Sequence, residues 1–322
     1  MRTIALVFPV LVSALLPLSG PRDPAPRREV RWGYAPAESL ALVQLGERPS
    51  AMRPLMLLVP GPVGSAFSMR RVADALAQRG HAVLIADPLG MGASTRPEGA
   101  DYALSRQADR VRRLLDDVAP GAKPVVVAAI GTSATIALHM AAIDTARIRG
   151  VVSIAGGPVD HQGTRNLSLA LKLAPLLDNR IGKAIARGRF EAGARAQSTN
   201  DAWLTPAVLT AYVEPMERDL RGLFRTLGWM QKAPEPHPIA SRLPQVTAPV
   251  RLLVGDKIVP SSPTAEQIAL LARHLPDFAT DTIRGAGTLL HEEAPETVVR
   301  ALETLAVTGP RRVSPQRVIP AP

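Results

Sequence analysis

The feature that most constrains this chain is a series of short, wholly apolar runs separated by stretches with helical spacing. Leu55–Val59 (LMLLV), Ala82–Ala86 (AVLIA) and Val125–Ala129 (VVVAA) contain no polar residue. A strand with one wet face alternates polar and apolar residues, whereas an unbroken apolar run needs cover on both faces, as in a parallel strand. Between these runs, Ser68–Arg79 places Val72, Leu76 and Ala77 at helical spacing, and Ser105–Val118 forms a second helical stretch. Gly150–Ala155, Val250–Val254 and Phe278–Ile283 read as further strands, with helices over Thr264–Leu275 and Pro295–Ala306. Strand-like pieces also lie around Val30–Tyr34 and Leu40–Leu45. Such alternation predicts an α/β fold with a doubly wound, mostly parallel sheet.

The alternation stops over residues 160–240. Leu167, Leu171, Leu173, Leu176 and Leu177, then Leu220, Leu223, Phe224 and Leu227, mark a helical insertion, expected to form a lid. The core is then split into residues 54–159 and 241–308, preceded by a linker and N-terminal strands over 21–53. The Pro/Arg-rich tail, 309–322, is expected to be disordered. Residues 1–20 hold one arginine, then an apolar run ending in Leu18-Ser19-Gly20, and read as a secretory signal peptide. Export to the periplasm or outside the cell is therefore expected. An uncleaved anchor over residues 4–20 is the alternative, although Pro9, Pro17 and the short run disfavour a stable spanning helix.

Composition narrows the function classes. Hydrophobic residues make up 46% of the 322, enough for a sizeable core. The net charge of +10 is carried mostly by dispersed arginines, with one helical concentration at Arg180, Lys183, Arg187, Arg189 and Arg195. With aromatics at 3% and no nucleic-acid motif, this reads as a solvated basic face, and no nucleic-acid partner is expected. The absence of cysteine excludes disulfides, thiol nucleophiles and thiolate metal sites. No His/carboxylate spacing points to a metal, and no cofactor is expected.

The most informative local segment is Pro124–Ala142, PVVVAAIGTSATIALHMAA, an apolar strand, a tight small-residue turn and an Ala/Leu-rich helix. Three other segments accompany it. Leu57–Ser65 reads LLVPGPVGS, Asp87–Ser94 reads DPLGMGAS, and Gly285–Pro295 reads GAGTLLHEEAP. In order and spacing the four resemble the α/β-hydrolase superfamily over roughly residues 54–306. They match, in turn, its nucleophile elbow, its strand followed by His-Gly, its D-x-x-G-x-G-x-S turn and its catalytic-histidine segment. The resemblance implies an α/β-hydrolase sheet with a helical lid and a pocket for a small apolar or ester-like ligand.

The same resemblance implies that the catalytic positions are altered. Aligning Ile136-Ala137-Leu138 with the family's elbow helix puts Gly131 at the nucleophile, with no side chain to attack. Thr288 stands at the histidine position, and a threonine hydroxyl is no base near neutral pH. The acid loop, Gly255-Asp256-Lys257-Ile258-Val259-Pro260, is about two residues short, so Asp256 comes early. Of the two oxyanion donors, the Thr132 N–H is kept, but the position after Gly61 is Pro62, which has no N–H. Loss of one such donor costs about 10²–10³ in rate. The chain is thus expected to bind a ligand or partner without triad catalysis.

The alternative is an active serine ester hydrolase with a shifted site. Ser133 would attack, His291 would act as base, and Asp256 or Asp160 would be the acid. Each has a plainer reading: Ser133 as a small residue at a helix start, His291 as a helix-start residue beside Glu292, Asp256 as a turn residue. Asp87 reads as the brace of its own turn. Trp203, Tyr212, Met216 and Trp229 are candidates to line a pocket beneath the lid, or else its core. His81, His139, His161, His237 and His274 show no metal spacing. Membrane contact is expected only through the N-terminal segment, if uncleaved.

Overall fold

A computed structural model describes residues 27–46, 54–161 and 179–308. Residues 1–20, expected to be a signal peptide, the leucines between 167 and 177 and the tail lie outside the described residues.

Eight strands form one sheet: β1 (Arg27–Ala35), β2 (Glu38–Leu45), β3 (Leu55–Val59), β4 (Ala82–Ala86), β5 (Val125–Ile130), β6 (Ile148–Ile154), β7 (Val250–Gly255) and β8 (Phe278–Ile283). Their order is β1-β2-β4-β3-β5-β6-β7-β8. The N-terminal hairpin is antiparallel, and β2 joins β4 antiparallel. Every later pairing is parallel. β1 begins earlier than its hydrophobic pattern predicts, because Arg27 and Arg28 pair with Leu45 and Gln44 whatever their side chains do. The apolar runs of β3 and β4 are buried throughout, as are the first five residues of β5.

The buried strands have cover on both faces. On one side α2 (Leu104–Val118) and α3 (Ser133–Ile143) pack with Leu57, Leu84 and Val127. On the other, α1 (Arg70–Gln78) and the last helix share a core with Met56, Leu58, Ile85 and Val126. Alternate residues of each strand thus serve opposite layers. The helical stretch read at Ser68–Arg79 divides into a 3-10 turn, Ala66–Met69, and α1; Ser68 Oγ donates to Ser65 O at 2.8 Å within that turn.

Between β6 and β7 the described residues hold α4 (Arg180–Gln197), α5 (Pro206–Arg218), α6 (Leu220–Lys232) and the short α7 (Ile239–Arg242). Asn179, Thr205 and Asp219 each accept a backbone N–H at the start of α4, α5 and α6. Their shared core contains Ala194, Leu204, Leu209, Val213, Leu220 and Leu223. The chain then forms α8 (Ala265–His274), α9 (Leu290–Glu293) and α10 (Pro295–Val307). The loops after β3 to β8 all emerge at one edge of the sheet, where doubly wound folds carry their sites. Among the described residues no helix is long and apolar enough to cross a membrane.

Candidate functional site

Six loops meet at the carboxyl edge. Val59 pairs with Ala129, so the turn after β3 lies beside the turn after β5. Gly61 packs there, since a Cβ on it would stand 3.4 Å from Ile130 Cγ2. Gly64 N–H donates to Gly61 O at 2.9 Å, closing a tight turn with Pro62 at its second position.

Gly131 follows β5 with φ +57°, the left-handed region that glycine enters without steric cost. A Cβ on it would meet no atom within 4 Å. Its N–H donates to Ile154 O at 2.9 Å and its carbonyl accepts the Ala134 N–H at 3.0 Å, so the turn is fixed from both sides. The loop after β6 seals the back of the turn, because a Cβ on Gly156 would overlap the Gly131 carbonyl oxygen. The next residues, Thr132 and Ser133, open α3.

The loop after β8 carries Thr288, which is buried. Its N–H donates to Gln197 O at 3.0 Å and its hydroxyl to Gln197 Oε1 at 3.2 Å. The C-terminal end of α4 therefore sits directly on it. Glu293 extends that contact by accepting the N–H groups of Thr199 (2.6 Å), Asn200 (2.8 Å) and Gly287 (2.7 Å). Lys257 Nζ adds a bond to Ser198 O at 2.7 Å. Asp256 points at the same loop, where both carboxylate oxygens accept the Gly285 N–H at 3.0 Å.

His291 and Ser133 do not meet. The Ser133 hydroxyl is buried with no hydrogen-bond partner, and so is His291 Nδ1. The other ring nitrogen of His291 faces Tyr212 OH at 3.5 Å. The helices that carry them also lie on opposite faces of the sheet: Ala134 and Ile136 of α3 belong to one core layer, Leu290 of α9 to the other. Burial, with the Arg70 guanidinium nearby, pushes the His291 ring down to about 3, so it is neutral at ordinary pH.

What His291 does border is a polar cluster that sequence reading missed. Glu292 is fully buried and pairs with Arg70 through two bonds, 2.5 and 3.0 Å. Tyr212 OH, from the inserted helix α5, donates to the same carboxylate. The Arg70 guanidinium also lies 4.1 Å from the Phe67 ring centroid, and Phe67 meets Tyr212 edge-on at 5.3 Å. Burial first, and then Glu292, raise the Tyr212 phenol well above its usual range. Its sequence signal was an isolated Tyr in an amphipathic helix, which carries no hint of a partner 80 residues away.

Of the four aromatic and methionine candidates, three converge: Trp203 meets the Tyr212 ring at 5.9 Å, and Tyr212 and Met216 line one small cavity. Trp229 stands apart, stacked on Tyr102 at 5.9 Å. The cavity also touches Pro62, Gly64, Arg96 and Leu223 and measures about 10 Å³, room for one water. Nearby, Asp87 braces the turn after β4 by accepting the Ala93 N–H at 2.9 Å. Its other carboxylate oxygen is buried without a partner, and burial raises its carboxyl to about 7. Among the described residues no group of three or more metal-ligating side chains is present.

The strand order, the six loops at one edge and the left-handed turn after β5 coincide with a sequence match to the alpha/beta hydrolase family over residues 56–301. The chain belongs to that family. Among solved structures it is similar to Cfl2 from Burkholderia cenocepacia, at 19% identity and TM-score 0.67, covering 86% of this chain and 95% of that one. A membrane phospholipase A, described as a bacterial virulence factor, aligns at 19% identity and TM-score 0.68, covering 87% and 85%. Est816, an N-acyl homoserine lactone degrading enzyme, aligns at 17% identity and TM-score 0.63, covering 86% and 99%. At these identities the likeness is one of fold. No curated protein matches the chain.

Proposed function

We propose that this α/β hydrolase has given up serine-triad catalysis and works by binding a ligand or a partner at the covered edge of its sheet. The observation that carries the reading is Gly131, which holds the left-handed turn after β5 and has no side chain to attack a carbonyl. Three features support it. Thr288 stands where the family resemblance calls for a base, and its hydroxyl is spent on Gln197. Pro62 has no N–H to offer an oxyanion. Ser133 and His291 share no hydrogen bond.

The inserted helices act as the lid over this edge. Pro62, Met216 and Leu223 present apolar surface, and Arg96 a single cation, to a small apolar or ester-like molecule. A cavity of about 10 Å³ admits no such molecule, so entry requires α5 and α6 to move. Residues 1–20 read as a secretory leader, which supports placing this binding in an exported protein. Likeness to a phospholipase or a lactone-degrading enzyme supports the fold and does not carry their chemistry over.

A panel of short-chain nitrophenyl esters, offered to the purified chain and to Ser133→Ala, tests the reading. Neither protein is expected to exceed the buffer rate. Turnover by the unaltered chain overturns it, and loss of that turnover in Ser133→Ala would assign the chemistry to the shifted serine.

A further inference from the structure

Helix α4 carries two apolar stripes, and the fold uses only one. Gly182, Ala186, Phe190 and Ala194, spaced four apart, face the rest of the insertion; Ala194 is in its core, and Ala186 and Phe190 pack against that core. The second stripe is Ile181, Ile185, Gly188 and Ala192, whose spacing of four, three and four puts it on one face. All four residues are exposed. Ile181 is 75% exposed and Ile185 47%. At the far end of the helix Ile258 is 88% exposed, and its neighbour Lys257 bonds to Ser198 O at 2.7 Å. Two of the six large hydrophobic side chains exposed among the described residues thus lie on one face of this helix. Scattered apolar residues need no explanation, but a line of them marks a binding surface.

The charges beside the stripe select the occupant. Arg187 and Arg195 are tied down by Glu217, and by Glu191 with Asp201. Arg180 and Arg189 are exposed and form no ion pair among the described residues. The helix holds five basic residues against one acid, Glu191, in a chain of net charge +10. A second copy of the chain would bring like charges face to face, which is unfavourable. Lipid phosphates pair with arginines while isoleucines enter the acyl boundary, so an apolar stripe with basic flanks fits an anionic bilayer.

We infer that the exposed face of α4 docks on an anionic lipid surface. This contact is separate from the N-terminal segment, to which sequence reading confined any membrane association, and independent of the fate of the triad.

The test is co-sedimentation of the full chain with phosphatidylcholine vesicles, with and without about one third phosphatidylglycerol. Binding is expected to require the anionic lipid. Each arginine near such a surface contributes about five-fold, so Arg180→Gln/Arg189→Gln is expected to weaken binding about 25-fold. Ile181→Ser/Ile185→Ser is expected to weaken it more than ten-fold. All four positions are exposed, so circular dichroism and the urea midpoint should match the unaltered chain. The inference is overturned by absence of binding or by binding that both double variants retain, as contact through residues 1–20 alone would give. A dimer that Ile181→Ser/Ile185→Ser dissociates, with no vesicle binding, also overturns it.

Discussion

Replacing Gly131 by serine separates two costs that usually arrive together, backbone strain and steric overlap. At φ +57° a side chain costs roughly 1–2 kcal/mol. No overlap term is added, because a Cβ there meets nothing within 4 Å. Gly131→Ser should therefore lower the unfolding free energy by about 1–2 kcal/mol. Gly156→Ala, in the adjoining loop, is the contrast. Its Cβ would overlap the Gly131 carbonyl oxygen and stand 2.8 Å from Ala134 Cβ, both on rigid elements. That overlap should cost about 3 kcal/mol or more. Urea titration of the three proteins at one pH, with the slope m held common, reads both numbers. Equal losses in the two variants would refute the reasoning, because they would mean that the space above Gly131 is not open. Gly131→Ser should also gain no ester turnover, since Thr288, at the position of the family's base, holds its proton too tightly to act as one.

The remaining predictions concern the buried polar groups. Glu292→Gln leaves the Arg70 guanidinium, 16% exposed, without its carboxylate and should cost about 3–5 kcal/mol. A double-mutant cycle with Tyr212→Phe should show coupling above roughly 0.5 kcal/mol, and strict additivity would mean that α5 is not tied through this carboxylate. Two buried groups set opposing pH slopes. His291 titrates at about 3 folded against 6.5 in the free side chain, so its contribution is complete above 6.5 and is lost as the pH falls. Asp87 titrates at about 7 against 3.8, so its contribution is complete below 3.8 and is lost as the pH rises through 7. Between about pH 4 and 6.5 the two offset each other. Relative to the unaltered chain, Asp87→Asn should lose stability on acidification, by up to about 1.4 kcal/mol per pH unit, and His291→Leu should gain it. Urea midpoints at four pH values check this, and parallel profiles for all three proteins would contradict it.

How much of this was readable in the sequence depends on the range of each interaction. The apolar runs of β3, β4 and β5 are local signals of two-sided burial, and the strands form there. The tight turn at Gly131 was readable because the apolar strand before it and the start of α3 after it are local signals, whereas its anchor on Ile154 O, from the neighbouring strand, was not. The start of β1 was not, since Arg27 and Arg28 enter the ladder through backbone pairing with β2, which side-chain pattern does not encode. The Arg70–Glu292–Tyr212 cluster was also hidden. It joins residues 222 and 80 positions apart, and each alone looks like an ordinary surface or core residue. Trp229 shows the same limit. Read as lining a pocket or else as lid core, it stacks on Tyr102, a partner more than a hundred residues away that its own helix does not encode.

The central claim, that no serine in this fold is an activated nucleophile, is tested most directly by fluorophosphonate labelling of the purified chain followed by intact-mass measurement. The account predicts an unshifted mass. Stoichiometric labelling at any serine, Ser133 included, would contradict it.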